Sequence, residues 1–356
     1  MKIVFITSAY YPSIGGVETH VRSVARELVK RGHKLTVITE NKQSRGKSDS
    51  KASNLKSNVL SSQFIRKKLD QIDIYYFKFG QDTFFKKFNI WYQLFKNREL
   101  FSSADIIHAH DVFIWYLPLR FFYWNKKIYT TFHGHETVFP PTEKAKFIRR
   151  ISEKLSYGNI IIGEFIKKWY GTYSNHVTYG GVNKRLRDKV AIKKRNSVIK
   201  LLLIGRLEKD IGVHVYKETL RQLTERGVKF TFTVCGQGSL GSGLEQYGEV
   251  LGFVKDVTPY IKKADIVFAS SYLSMLQVLQ LGTPVFATYT NPLKHDYLRD
   301  SPFEKYITIS DSAEDLARKV AIFKPNLKKL QDGAKWANGE TWQKVADLYE
   351  DLWTTK

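Results

Sequence analysis

Residues 2–39 read KIVFITSAYYPSIGGVETHVRSVARELVKRGHKLTVIT, and this stretch decides the fold class. Residues 2–7 form a short apolar run with the length and composition of a strand. Val17, Val21, Val24 and Leu28 then recur at helical spacing, Lys30 and Arg31 fall in the last turn, and Gly32 follows as a C-cap. A second strand-like run occupies 34–39. Strand, helix and strand in this order predict a βαβ start, with Pro12 and the pair Gly15-Gly16 in the first connection.

Outward from there, strand-like runs recur at 72–79, 105–110, 128–133, 159–163 and 177–179, with helix-sized segments between most of them, which predicts a mainly parallel sheet. Residues 41–68 are polar and basic and read as a mobile loop. A second series follows the basic stretch 184–195, with strands expected at 198–204, 230–235, 250–253, 265–269, 284–287 and 306–309. Trp342, Val345, Tyr349 and Leu352 share one face of a helix starting near Thr341.

The chain has 356 residues, 43% hydrophobic and 26% charged, enough to bury two cores and inconsistent with wholesale disorder. A lone cysteine, Cys235, precludes an intramolecular disulfide and favours a reducing cytoplasm. The first apolar run is too short for a signal-peptide core, and residues 114–124, interrupted by Pro118 and Arg120, are too short to span a bilayer. The net charge of +23 favours a polyanionic partner. No zinc-finger spacing, basic region before heptads or RNA-recognition pattern accompanies it, so nucleic acid is not expected.

Two doubly wound domains place ligands at the C-terminal ends of their strands, here the loops after Thr7, His133, Gly205 and Ala269. The glycine pair permits a ligand to approach a helix N-terminus, or simply makes a tight turn. Gly236-Gln237-Gly238-Ser239-Leu240-Gly241 spells the dinucleotide fingerprint, but it falls on the second strand of its domain and a poor helix follows, against a nicotinamide cofactor. His108, His110 and His135 lie near His133 in sequence; packing and turns account for them better than a metal site.

In the order and spacing of its motifs the chain resembles the GT-B glycosyltransferases of family 4, over nearly its whole length. The resemblance rests on 12–18, on Thr131-Phe132-His133-Gly134, on Ile204-Gly205-Arg206-Leu207 with Gly212-Val213, on Gly236-Gln237-Gly238, on Leu251-Gly252-Phe253-Val254, and on 270–277 leading into Gly282-Thr283-Pro284-Val285. It implies two Rossmann-like domains facing across a cleft: an acceptor domain at 1–194, a nucleotide-sugar donor domain at 198–340, and a last helix at 341–356 packing back on the first. The implied catalytic residues are His133 beside the donor sugar and Arg206 on the diphosphate, with Lys209 as a helper. Gly205, Gly238, Val254, Ser271, Tyr272, Leu273, Ser274 and Gln277 would line the donor, and Gly15, Gly16 and Glu18 the acceptor side.

Two positions depart from the family pattern. Its usual lysine before Gly212 is Ile211, and its glutamate pair falls at Ala269 and Gln277. The resemblance implies a retaining hexosyl transfer from a nucleotide diphosphate sugar to a lipid-linked or growing cell-envelope glycan, with no cofactor and no obligate metal. The departures raise the alternative of a catalytically weak or inactive glycan- or nucleotide-binding protein. Aromatic-basic residues at 84–96 and a basic helix face at 144–150 suggest peripheral attachment to the anionic inner membrane surface.

Overall fold

The structure is a computed structural model describing residues 1–13, 15–41, 64–83, 85–134, 138–184, 190 and 197–355. Most of the loop expected at 41–68, most of the basic stretch 184–195, and Phe84 and His135 lie outside the described residues.

The first sheet holds β1 (Lys2–Thr7), β2 (Lys34–Glu40), β3 (Phe64–Leu69), β4 (Ile72–Phe77), β5 (Ile106–His110), β6 (Lys127–Phe132), β7 (Asn159–Ile162) and β8 (His176–Thr178), in the order β3-β4-β2-β1-β5-β6-β7-β8. Its helices are α1 (Gly16–Lys30), α2 (Lys86–Lys96), α3 (Glu99–Ser102), α4 (Phe113–Phe122), α5 (Glu143–Leu155) and α6 (Phe165–Tyr170). All pairs are parallel except β3 with β4. That edge hairpin corrects the reading of 64–68 as loop. Its two-residue turn puts Asp70 and Gln71 at φ 54° and 63°, the backbone that Asn-Gly usually supplies, and Arg22 of α1 pairs with Asp70 at 2.9 Å.

The second sheet holds β9 (Ile199–Ile204), β10 (Phe230–Cys235), β11 (Glu249–Val250), β12 (Ile266–Phe268), β13 (Val285–Thr288) and β14 (Thr308–Ser310), all parallel, in the order β11-β10-β9-β12-β13-β14. The strand expected at 250–253 is only Glu249–Val250; beyond it Phe253 is exposed. The helices are α7 (Val213–Glu225), α8 (Thr258–Lys263), α9 (Tyr272–Gln280), α10 (Pro292–Arg299), α11 (Ala313–Ile322), α12 (Leu327–Gly339) and α13 (Trp342–Thr354).

The chain crosses between the sheets twice, at one place. Val182 and Thr341 form a parallel bridge, and a Cβ on Gly181 would lie 2.8 Å from the backbone of Thr341 and Trp342, so only glycine permits the approach. After this return α13 lies on the first sheet beside α1. Trp342, Val345, Ala346, Tyr349, Leu352 and Trp353 share a core with Val21, Val24, Ala25 and Leu28. Burying five large side chains contributes roughly 10 kcal/mol of gross hydrophobic stabilisation before ordering costs. Arg31 pairs with Asp347 at 2.7 Å and also with Glu350, which His33 meets at 2.7 Å.

Candidate active site between the two sheets

The C-terminal ends of the two sheets face each other. Gly163 ends β7 at φ 100°, and a Cβ there would lie 2.7 Å from the Tyr272 hydroxyl at the start of α9; one on Gly180 would lie 2.4 Å from Leu273. Helix α10 joins the contact, with Trp169 donating to Asp296 at 2.9 Å and Tyr179 donating to the Asp300 carbonyl at 3.1 Å. Loops that follow strands therefore line a cleft between the halves.

On the first-domain wall, His133 follows β6 directly. Its Nε2 pairs with Nδ1 of buried His110 at 2.9 Å, and its amide donates to the Asp111 carboxylate at 2.8 Å. Asp111 itself sits at φ 62°, a backbone cost at the end of β5 that this hydrogen bond helps to offset. Burial and the nearby Arg149 guanidinium push the His133 pKa down to about 3. It is thus a neutral hydrogen-bonding group, not a cation. Arg149 is buried, donates to the Gly134 carbonyl and lies 4.1 Å over the Tyr170 ring.

Helix α1 brings His20 edge-on to His133, 4.7 Å between ring centroids. Behind them runs a buried polar chain: Trp353 Nε1 donates to His108 Nδ1 at 3.1 Å, His108 Nε2 meets Thr131 Oγ1 at 2.7 Å, Thr131 meets Tyr349 Oη at 2.9 Å, and Tyr349 meets His20 Nε2 at 3.0 Å. Burial holds His20, His108 and His110 well below the ordinary imidazole range. Among the described residues no three His, Cys, Asp or Glu side chains are placed to hold a metal ion. Gly15 precedes the first turn of α1 and Gly16 opens it; the Glu18 carboxylate folds back where a Gly15 Cβ would be, 2.4 Å away.

On the facing wall, Gly205 turns the chain out of β9 at φ 134° and Arg206 is exposed, its guanidinium donating to Asp210 at 2.9 Å. Lys209 is exposed on the 3₁₀ turn Lys209–Ile211; partial burial, and after it the Lys209 charge, lower the His214 pKa. Ile211 is 4% exposed in the core. The fingerprint glycines serve this turn. A Cβ on Gly236 would lie 1.9 Å from the Gly205 carbonyl oxygen, and one on Gly238 2.5 Å from that of Leu207, while Ser239 donates amide and hydroxyl to Glu208 at 3.0 and 2.6 Å. No helix follows before β11, so the phosphate loop of a dinucleotide fold is absent here.

The connection from β12 to α9 is short, Ala269, Ser270 and Ser271, with Ala269 fully buried. Ser271, Ser274 and Gln277 follow at three-residue spacing and form one polar ridge of α9; Ser271 donates to Ser274 at 2.9 Å and Gln277 is exposed. Tyr272 and Leu273 behave differently from the donor contacts expected of them. The Tyr272 side chain is buried, its hydroxyl donates to the Tyr297 carbonyl at 2.6 Å, and its amide is taken by the Tyr297 hydroxyl at 2.8 Å. Leu273 packs against the first-domain core, and Val254 is half-buried against the second.

The sequence profile of Glycosyltransferase Family 4 matches residues 14–183, and that of Glycosyl transferases group 1 matches residues 199–323. The chain belongs to the family 4, group 1 glycosyltransferases. Its two parallel-sheet halves have the GT-B fold of sucrose-phosphate synthase from Thermosynechococcus elongatus (15% identity, TM-score 0.69, 100% of both chains). The Anabaena HepE structure with UDP and glucose is similar (13%, 0.68, 99% of this chain and 98% of that one), as is WaaG, a glycosyltransferase involved in lipopolysaccharide biosynthesis (14%, 0.64, 99% and 100%). No curated protein matches the sequence.

In this glycosyltransferase the structure adds residues to which the sequence assigned no role in the site: His20, Asp111, Thr131, Arg149, Tyr349 and Trp353 around His133, and Asp210, Lys294 and Tyr297 near Arg206. His20 carried one signal, a histidine on the otherwise apolar face of α1. The partners from α13 carried none, because they lie more than 200 positions from the strands they touch.

Proposed function

We propose that this glycosyltransferase moves a hexosyl group, with retention, from a nucleotide diphosphate sugar to a lipid-linked or growing cell-envelope glycan, without an obligate metal. The observation that carries the reading is the exposed Arg206 guanidinium at the C-terminal end of β9, held by Asp210 at 2.9 Å. When the bond from the anomeric carbon to the diphosphate breaks, negative charge grows on the leaving oxygen. A fixed guanidinium and the first turn of α9, where Ser271 makes no capping bond of its own, stabilise that charge. Neutral His133 has Nε2 engaged with His110, so Nδ1 is the ring nitrogen offered to a sugar hydroxyl. Gln277 offers the ribose one carbonyl acceptor in place of a carboxylate.

Similar folds solved with UDP and glucose, and one involved in lipopolysaccharide biosynthesis, support the donor and acceptor classes. A membrane-facing surface is supported by α2, α4 and α5, which pack side by side. They and the residues next to their ends carry exposed Phe85, Phe88, Tyr92, Phe121, Phe122, Trp124 and Phe147, and Lys87 and Arg98 lie over the Trp91 and Phe95 rings at 4.8 and 5.3 Å. Rings interleaved with cations suit an anionic bilayer interface. Among the described residues no helix is long and apolar enough to cross a membrane.

The test is turnover of Arg206→Ala on a panel of nucleotide sugars. A loss of roughly a hundredfold is expected; an unchanged rate overturns the assignment of the leaving-group site.

A further inference from the structure

Lys294 stands in the first turn of α10, its amide capped by Asn291 Oδ1 at 2.9 Å. Its side chain is almost wholly buried, with 6% of the residue exposed. The ammonium lies 4.6 Å over the Tyr297 ring and, among the described residues, has no carboxylate within ion-pair distance. The charged groups that face it are Asp210 and Arg206, both from the turn after β9. Asp210 is already bonded to Arg206 at 2.9 Å. Lys294 is thus a dehydrated cation without a direct counter-ion, near an exposed Arg206 that already engages Asp210, an arrangement that is costly unless a further anion enters.

The surrounding backbone holds this corner together. Gly212, at φ 80°, brings the turn against the end of β13, where its Cβ would lie 2.8 Å from Thr288 Cγ2, and the chain after β13 runs directly into α10. The Tyr297 ring beneath the ammonium also carries the hydroxyl that accepts the first amide of α9. Lys294 is therefore held between Arg206 and the helix end where the polar ridge begins. The turn after β9 offers no equivalent: Ile211 is core, and Lys209 is exposed to solvent.

We propose that Lys294 is the second cation of the leaving-group site, holding the donor diphosphate together with Arg206. This rests on the reading of Arg206 as a diphosphate ligand. It supplies, from α10, the ammonium that Ile211 lacks, so that this departure from the family pattern becomes a relocation of positive charge. Burial lowers the Lys294 pKa to about 8, so a bound diphosphate must keep it protonated and draw it back up.

The experiment is calorimetric titration of wild type, Arg206→Ala and Lys294→Met with UDP, GDP and ADP from pH 6.5 to 9.5. For the nucleotide that wild type binds, Lys294→Met should weaken affinity roughly 10- to 100-fold, with a smaller loss for the matching monophosphate. Wild-type affinity should also fall by up to about tenfold per unit above pH 8, a slope absent from Lys294→Met. Methionine keeps the unbranched stem of lysine and lacks only the terminal ammonium, so the variant should melt no lower than wild type; Lys294→Gln serves if it does. Full affinity in both Lys294 variants with loss in Arg206→Ala overturns the role of Lys294 alone. Unchanged binding in Arg206→Ala as well, or no diphosphate bound by wild type, overturns the leaving-group site itself and this proposal with it.

Discussion

The hydroxyl of Tyr349 lies 3.0 Å from Nε2 of His20 across 329 positions of sequence, and by this contact the last helix of the chain reaches the first. An indole N–H can only donate, so Trp353 fixes Nδ1 of His108 as acceptor and places the His108 proton on Nε2, toward Thr131. From there Thr131 and Tyr349 carry the chain of hydrogen bonds to His20, which sets the edge on which His133 rests. The C-terminal helix is therefore structural support for the cleft residue His133.

Tyr349→Phe keeps the ring in its core and removes only the hydroxyl. Thr131 and His20 then each lose a buried partner, and a destabilisation of about 1–3 kcal/mol is expected. Urea denaturation measures it, and an unchanged midpoint would mean that the chain of bonds carries no net energy.

Stability should fall on mild acidification. The folded-state pKa values of His20, His108, His110 and His133 are depressed, so these groups stay neutral while the unfolded chain takes up protons below about pH 6.5. Each contributes stability present above the unfolded value and lost as pH falls, at up to about 1.4 kcal/mol per pH unit per histidine. Urea midpoints at pH 7 and pH 5 test this; equal midpoints would contradict the buried neutral array.

Gly236→Ala puts a methyl group 1.9 Å from the Gly205 carbonyl oxygen, where backbone faces backbone and neither side chain can yield. The expected cost is about 2 kcal/mol or more, together with weaker nucleotide binding as the Arg206 turn shifts. Gly227→Ala is the comparison, since a Cβ there meets nothing and only its φ of 67° is strained. Equal melting temperatures for the two variants would show that the close approach is not needed.

Replacing Phe121, Phe122 and Trp124 together by serine should lower binding to anionic vesicles and leave folding intact, because all three are exposed, Trp124 at 75%. Wild-type binding should weaken with salt, the attraction being screened over about 8 Å at physiological ionic strength. Vesicle sedimentation reads both effects. Undiminished binding by the triple variant would remove α4 from the contact surface.

Much of the fold is legible in local patterns. Strands such as 199–204 and 159–162 announce themselves because parallel strands buried on both faces are nearly continuous apolar runs, and α1 and α13 because one face of each must be apolar. The edge hairpin is not legible: Asp70-Gln71 lacks the glycine that marks such turns, and the Arg22 pair that accompanies it comes from another helix. The glycines at 236 and 238 were visible as a motif, but their purpose depends on which backbone crosses them.

By its own residue order the sequence determined two parallel-sheet halves, the family, and the positions of His133 and Arg206 at strand ends. These follow from periodicity and motif spacing, which are properties of short segments. Only the tertiary structure decided that His133 is neutral, that Tyr272 and Leu273 are packing residues, and that Lys294 is buried in the field of Asp210 and Arg206. Charge state and proximity depend on what burial and distant elements bring to a point, and no short segment contains that information.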